Sequence, residues 1–188
     1  MSEEAEALAK VIDALEGLGI PFFLGGSVAS ALFGTPRATM DIDIVANIPE
    51  PKIASLREQL GPDFYVDEEE MRRAFRAGRS VNIIHIASAH KFDIFPAERD
   101  RYHSEQMRRA LASRVRLPFG MEAPAATGED ILLEKLRWYR LGGEVSDHQW
   151  NDVRGIRDVQ GDRLDLAYLA RWAGDLGVED LLQKLLAE

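Results

Sequence analysis

The alternation of apolar and polar positions divides the chain into a mixed strand and helix region followed by a helical one. Helical periodicity from Glu3 to Leu18, stopped by Gly17 and Gly19, predicts an opening helix. Pro21-Phe22-Phe23-Leu24 reads as a short buried strand, Gly25-Gly26 as its sharp exit, and Val28 to Phe33 as a short helix. In Asp41-Ile42-Asp43-Ile44-Val45 the acids and the first two β-branched residues alternate, so a strand here has one dry and one wet face. A helix follows from Pro51 to Leu60, then a short strand at Phe64 to Val66 and a charged helix to Ala77 broken by Gly78. The apolar density of Ser80 to Ile86 predicts a central strand, joined through Ala89-His90 to Lys91-Phe92-Asp93-Ile94-Phe95, which Pro96 ends. Thr127 and Asp130 form a capping-box pattern for a helix reaching Tyr139, with Gly142-Gly143 as its stop and two or three helices beyond. The expected fold class is α+β, a mixed β-sheet with flanking helices. Residues 1–120 are expected to form the core, and residues 121–188 a helical C-terminal region packed on it.

Composition narrows the reading. With 188 residues and 46% hydrophobic content, the chain can build one compact domain, or one core with a helical appendage. It has no cysteine, which excludes disulfides and thiolate metal sites. No stretch approaches the roughly 20 apolar residues of a membrane span. Met1-Ser-Glu-Glu carries acids where a signal peptide would be basic, so a cytoplasmic location without a membrane partner is expected. The net charge of −9 argues against a protein that coats nucleic acid non-specifically.

The candidate chemistry lies between residues 25 and 43. Side chains two apart on a strand leave the same face with Cα atoms roughly 6 to 7 Å apart, so Asp41 and Asp43 point together. Two such carboxylates repel unless protonated or neutralised, and their oxygen-only ligand set suits Mg²⁺ or Mn²⁺. Upstream, a strand, a glycine turn and a helix start make an anion site. Gly25 and Gly26 allow close approach to backbone N–H groups, and Ser27 adds a hydroxyl. Neither a G-x-G-x-x-G nor a G-x-x-x-x-G-K-[ST] motif is present.

Gly26-Ser27, a thirteen-residue spacer and Asp41-Ile-Asp43-Ile44 resemble the signature of the DNA polymerase β-type nucleotidyltransferase superfamily. The resemblance implies a nucleotidyltransferase-type sheet, a third acid from a later strand matched by Asp93, and transfer of an NMP from an NTP to an acceptor hydroxyl. It further implies a two-metal site in which Asp41 and Asp43 bridge Mg²⁺ ions, with Asp93 beside the acceptor. Gly25, Gly26 and Ser27 would hold the phosphates, with Arg37 and Lys135 as further counter-charges. The stretch from Thr127 through Lys135 to Trp150-Asn-Asp152 resembles the AbiE-like toxin branch and related bacterial nucleotidyltransferases. That match would place Lys135 at the phosphates and Asp152 near the acceptor, and raises a cognate antitoxin as a partner. The acceptor stays open among RNA, protein and a small molecule, and a non-catalytic nucleotide-binding or toxin-antitoxin module is the alternative.

Other patterns have simpler readings. Arg72, Arg73, Arg76 and Arg79, and Arg99, Arg101, Arg108, Arg109, Arg114 and Arg116, could receive RNA, but they also fit solvated faces balanced by Asp67-Glu-Glu-Glu70 and Glu105. Trp138, Tyr139, Trp150, Tyr168 and Trp172 fall at helical spacings and are expected in the core rather than as stacking platforms. Lys135 alone would read as a solvated helix residue. His85, His90, His103 and His148 share no ligand spacing and are assigned no metal role.

Overall fold

Element boundaries follow local chemistry closely. The computed structural model describes residues 2–34, 41–98, 100–117 and 120–188, the side chains of residues 27 and 31 excepted. Helix α1 (Glu3–Gly17) starts where the Ser2 hydroxyl accepts from the Ala5 N–H, and carries Glu3, Glu4 and Glu6 in its first turn. The same device opens α4 (Glu68–Arg76) at Asp67, α5 (Arg101–Ala112) at Asp100, α6 (Gly128–Leu141) at Thr127, α7 (Asp147–Gln160) at Ser146 and α8 (Leu166–Asp175) at Asp165. Helix α2 (Gly26–Phe33) differs: its cap is Gly25, which supplies no side-chain acceptor. It begins two residues before the expected Val28, because Gly26 turns into it with φ +50°. Helices α3 (Ile53–Leu60) and α9 (Glu179–Ala187) complete the helical elements used below.

Strands β1 (Phe22–Leu24), β2 (Asp41–Ala46), β3 (Phe64–Tyr65), β4 (Val81–His85) and β5 (Lys91–Pro96) form one mixed sheet in the order β1-β2-β5-β4-β3. Strands β2 and β5 pair in parallel, and the other neighbours are antiparallel. The segment 80–86 is thus an interior strand but not the central one. The middle position belongs to β5, because the long-range pairing of β2 with β5 decides the order and β3 adds only two residues beyond β4. A small hairpin that the patterning did not predict, β6 (Arg114–Arg116) with β7 (Glu122–Pro124), holds two of the arginines that could have received RNA. Its strands are too short for a period of two to register.

The pleat sorts the sheet's side chains between two cores. Ile42 and Ile44 of β2, Ile83 of β4 and Phe92 and Ile94 of β5 pack with Leu8, Val11, Ile12 and Leu15 of α1, Leu56 of α3 and Met71 of α4. Each is nearly or fully removed from water, so Leu56→Ala should cost about 2–5 kcal/mol. Phe23 faces the other way, into a second core with Leu132, Leu136, Val153, Ile156, Leu169 and Trp172. The odd-numbered positions of β2 and β5 therefore face the helical region, and a cleft opens between the two. Among the described residues no helix is long and apolar enough to cross a membrane.

Candidate active site

The parallel register sets Asp43 of β2 directly opposite Asp93 of β5, and Asp41 opposite Lys91. Odd positions of both strands share a face, so the three aspartates stand on one face of the sheet, where Asp43 lines the cleft. Asn82, across from Asp93 on β4, donates its amide to the Asp93 carboxylate. Burial pushes the Asp93 carboxyl above its ordinary range, and the Asp41 charge pushes it further, against the Asn82 hydrogen bond and the Lys91 charge. A cation there would relieve that repulsion, and the donors are all carboxylate oxygens, so the residues fit a hard divalent ion.

The glycine turn meets this patch. The Gly25 N–H donates to the Asp43 carbonyl at 2.9 Å, tying the turn to β2. A Cβ on Gly26 would fall inside the Asp43 carboxylate, and its φ is in the left-handed region, so only glycine fits on both counts. With no side-chain cap on α2, its first N–H groups open beside a carboxylate pair. The Ser27 side chain and Arg37, both expected at the phosphates, lie outside the described residues.

The other wall is the hairpin of α6 and α7. Lys135 is buried to 8% exposure, and its ammonium lies 2.7 Å from Asp152 Oδ2. It is not the solvated lysine that its position on a helix suggests. It shares a cleft of about 1070 Å³ with Gly25, Gly26 and Asp43. Ile131, Glu134, Lys135 and Trp138 line that cleft at the 0, 3, 4, 7 spacing of one α6 face. Trp138 departs from the expectation of a core residue: it is 53% exposed, whereas Trp172 is buried and Trp150 packs on Tyr139 at 5.2 Å.

Across from the glycine turn, His103 is clamped between acids. Its Nδ1 lies 2.6 Å from Asp100 Oδ2 and its Nε2 3.1 Å from Glu134 Oε1, with Arg137 closing the group against Glu98 and Glu134 at 3.5 Å. Burial lowers the His103 pKa, but the hydrogen bonds to Glu134 and Asp100 and the charges of Glu134 and Glu98 outweigh it, so the ring is held protonated above its ordinary range. Among the described residues, Glu98, Asp100 and His103 form the group of three whose ligand atoms all lie within 4.8 Å of one another. The aspartates of β2 and β5 do not gather that tightly. Asp100 lies three residues before His103 and is a local neighbour, whereas sequence spacing gives no sign of Glu134, which comes from α6.

Many of the arginines that could have formed an RNA track are ion-paired. Arg72 meets Glu68 and Glu69, Arg73 meets Glu70, Arg76 meets Glu50, Arg108 meets Glu105 and Arg114 meets Glu16. Arg109 reaches inward to Glu129 and Asp130.

No family model and no curated protein matches the chain. Among solved structures, the chain is similar to the lincosamide antibiotic adenylyltransferase LnuA, lincomycin-bound, with a TM-score of 0.52 at 14% identity over 85% of this chain and 98% of that one. The fold is that of the nucleotidyltransferases. A second match is ANT(2")-Ia in complex with adenylyl-2"-tobramycin, with a TM-score of 0.50 at 16% identity over 92% and 100% of the two chains. A nucleotidyltransferase-like protein from Paracoccidioides brasiliensis matches at 0.49 and 18% identity over 94% and 92%. His103 and Gln149, which line the cleft, and Asn82, which donates to Asp93, are residues that sequence reasoning missed. Only Asn82 carried a signal, as a polar residue between the apolar Val81 and Ile83.

Proposed function

We propose that the protein transfers a nucleotidyl group from a nucleoside triphosphate to the hydroxyl of a small-molecule acceptor. The observation that carries this reading is the meeting of three elements: Asp43 opposite Asp93 in register, Gly26 against the Asp43 carboxylate, and an uncapped α2 beside both. Asp41, Asp43 and Asp93 would hold Mg²⁺ or Mn²⁺. A pair of such ions supplies positive charge for the attacking and leaving oxygens of an in-line displacement.

The chain's own groups have separable tasks. The Gly25-Gly26 turn and the N–H groups opening α2 bind the triphosphate, with the Ser27 hydroxyl and Arg37 as further contacts. Lys135, oriented by its contact with Asp152, would meet the same phosphates. The acceptor oxygen forms its bond to the α-phosphorus as the bond to the β-phosphate oxygen breaks, and pyrophosphate leaves. Asp93 accepts the acceptor's proton while Asn82 holds the carboxylate in place.

The paired arginines and the net charge of −9 support a small acceptor over an RNA end, and a cleft of about 1070 Å³ has room for a nucleotide and a second molecule. The two structural neighbours with a TM-score of 0.50 or more hold small antibiotic molecules, lincomycin in one and adenylyl-2"-tobramycin in the other. The alternative is the AbiE-like reading, for which RNA or protein would be the acceptor and an antitoxin the partner. The test is incubation with each α-labelled NTP and Mg²⁺, with a metabolite fraction, total RNA or protein extract, against Asp43→Asn. Label on the metabolite fraction that disappears in the variant is the expected result. Label on RNA or protein would move the reading to the toxin-type acceptor. Metal-dependent NTP binding without label on any fraction would leave a binding module.

A further inference from the structure

Beyond the aspartates, the cleft continues past Lys135 into a corner made by Trp138 and Gln149. Helices α6 and α7 run antiparallel in a register marked by Gly128 beside Gln160, Lys135 on Asp152 and Tyr139 on Trp150. The same register sets Trp138 across from Gln149, and both line the cleft. At its other end α6 meets α2, where a Cβ on Gly128 would touch Phe33 at 3.7 Å. Gly26, at the N-terminus of α2, and Lys135, about 10 Å along α6 from that contact, both line the cleft. Trp138 and Gln149 overhang the cleft about one further turn away, on the side remote from Gly128.

Two observations at that corner call for a ligand. The Trp138 indole is 53% exposed on a cleft wall, while Trp172 is buried in the second core. The Gln149 Oε1 is shut off from solvent and, among the described residues, has no hydrogen-bond donor. An amide acceptor sequestered in this way is costly until a donor reaches it. A flat ring bearing an exocyclic amine answers both: the ring stacks on the indole, and the amine donates to Oε1.

Resting on the transferase reading above, we infer that Trp138 and Gln149 form the nucleobase subsite and select a 6-amino over a 6-oxo purine, so that ATP is the preferred purine donor. With the phosphates at the α2 N-terminus and Lys135, the base falls one helical turn beyond, where the indole offers a stacking face. Gln149 accepts from the 6-amino group, as a glutamine amide does when it reads adenine. The 6-oxo group of guanine or hypoxanthine would instead set carbonyl against carbonyl. The acceptor takes the remaining side of the cleft, toward Glu98 and His103.

The test is calorimetric titration of the full-length protein with ATP, GTP, inosine triphosphate and inorganic tripolyphosphate, each with Mg²⁺. Wild type should bind ATP about tenfold more tightly than inosine triphosphate. Trp138→Ala should lose about tenfold or more for every nucleotide, Trp138→Phe should regain part of it, and neither should change tripolyphosphate binding. Gln149→Leu should bring ATP down to the level of inosine triphosphate. Equal ATP affinity in wild type, Trp138→Ala and Gln149→Leu would overturn the subsite while leaving the nucleotide reading intact. So would equal affinity of wild type for ATP and inosine triphosphate, or loss of tripolyphosphate binding in Trp138→Ala. No nucleotide binding by wild type would overturn both.

Discussion

Asp93 and Asp130 are two carboxylates that burial pushes up in pKa, and the fold treats them in opposite ways. Asp130, fully buried at the start of α6, receives a hydrogen bond from Tyr168 at 2.6 Å, one from Thr127 Oγ1 at 3.0 Å and the Arg109 guanidinium at 3.2 Å. Arg109 also stacks 3.9 Å over the Tyr168 ring and reaches Glu129 at 2.7 Å, so α5, α6 and α8 are joined through one polar centre. Asp93 has Asn82 as a donor, but the charge that acts on it most strongly is another carboxylate, Asp41. A buried acid that its own chain neutralises ties a structure together. One set beside a like charge is, on the transferase reading proposed above, the place where a cation would bind.

That contrast can be broken from either side. The largest effect is expected on activity: Asp43→Asn should abolish nucleotidyl transfer, read as labelled product, while thermal melting stays at or slightly above the wild-type midpoint because a repulsion is removed. The mirror experiment is Arg109→Met, which leaves Asp130 buried without its cation. Chemical denaturation should show a loss of about 3–5 kcal/mol, with transfer per folded molecule retained. If Arg109→Met abolished transfer and left stability intact, the division between the two centres would be wrong.

Smaller effects sharpen the same line. Mg²⁺ with ATP at about a hundred times its dissociation constant should add about 2.7 kcal/mol to wild-type stability and nothing to Asp43→Asn. Gly26→Ala should lose transfer and about 1–2 kcal/mol of stability, because alanine must take a left-handed conformation and displace the Asp43 carboxylate. The smallest effect concerns His103. Its pKa is raised in the folded state, so its contribution is complete below the unfolded histidine value and disappears as pH rises through the folded one. Stability of wild type should therefore fall over that interval relative to His103→Gln, and denaturation at a series of pH values measures the difference.

Much of the site is legible in the sequence because it rests on short-range geometry. An i, i+2 spacing sends Asp41 and Asp43 to one face whatever the sheet does, and Ile42 and Ile44 on the other face fix which side is buried. The glycine turn is legible for a related reason, since only glycine admits both the φ of Gly26 and the neighbouring carboxylate. The capping box at Thr127 is equally local, and the Thr127 hydroxyl does accept from the Asp130 N–H. Propensity is a weaker guide to order within the sheet. The apolar run at 80–86 resembles a central strand, yet its place depends on which distant segment pairs with which.

What the chain determined alone, then, is what neighbours within a few residues dictate: the wet face of β2, the turn before α2, and the starts of most helices. Only tertiary structure set Asp43 opposite Asp93, since the register between β2 and β5 spans fifty residues and is decided by packing α1, α3 and α4 against the dry face. The same holds for Lys135 on Asp152, for His103 between Asp100 and Glu134, and for the exposure of Trp138 beside Gln149. A helix fixes which side chains share its stripe, but which stripe is buried and which lines a cleft depends on the partner it packs against.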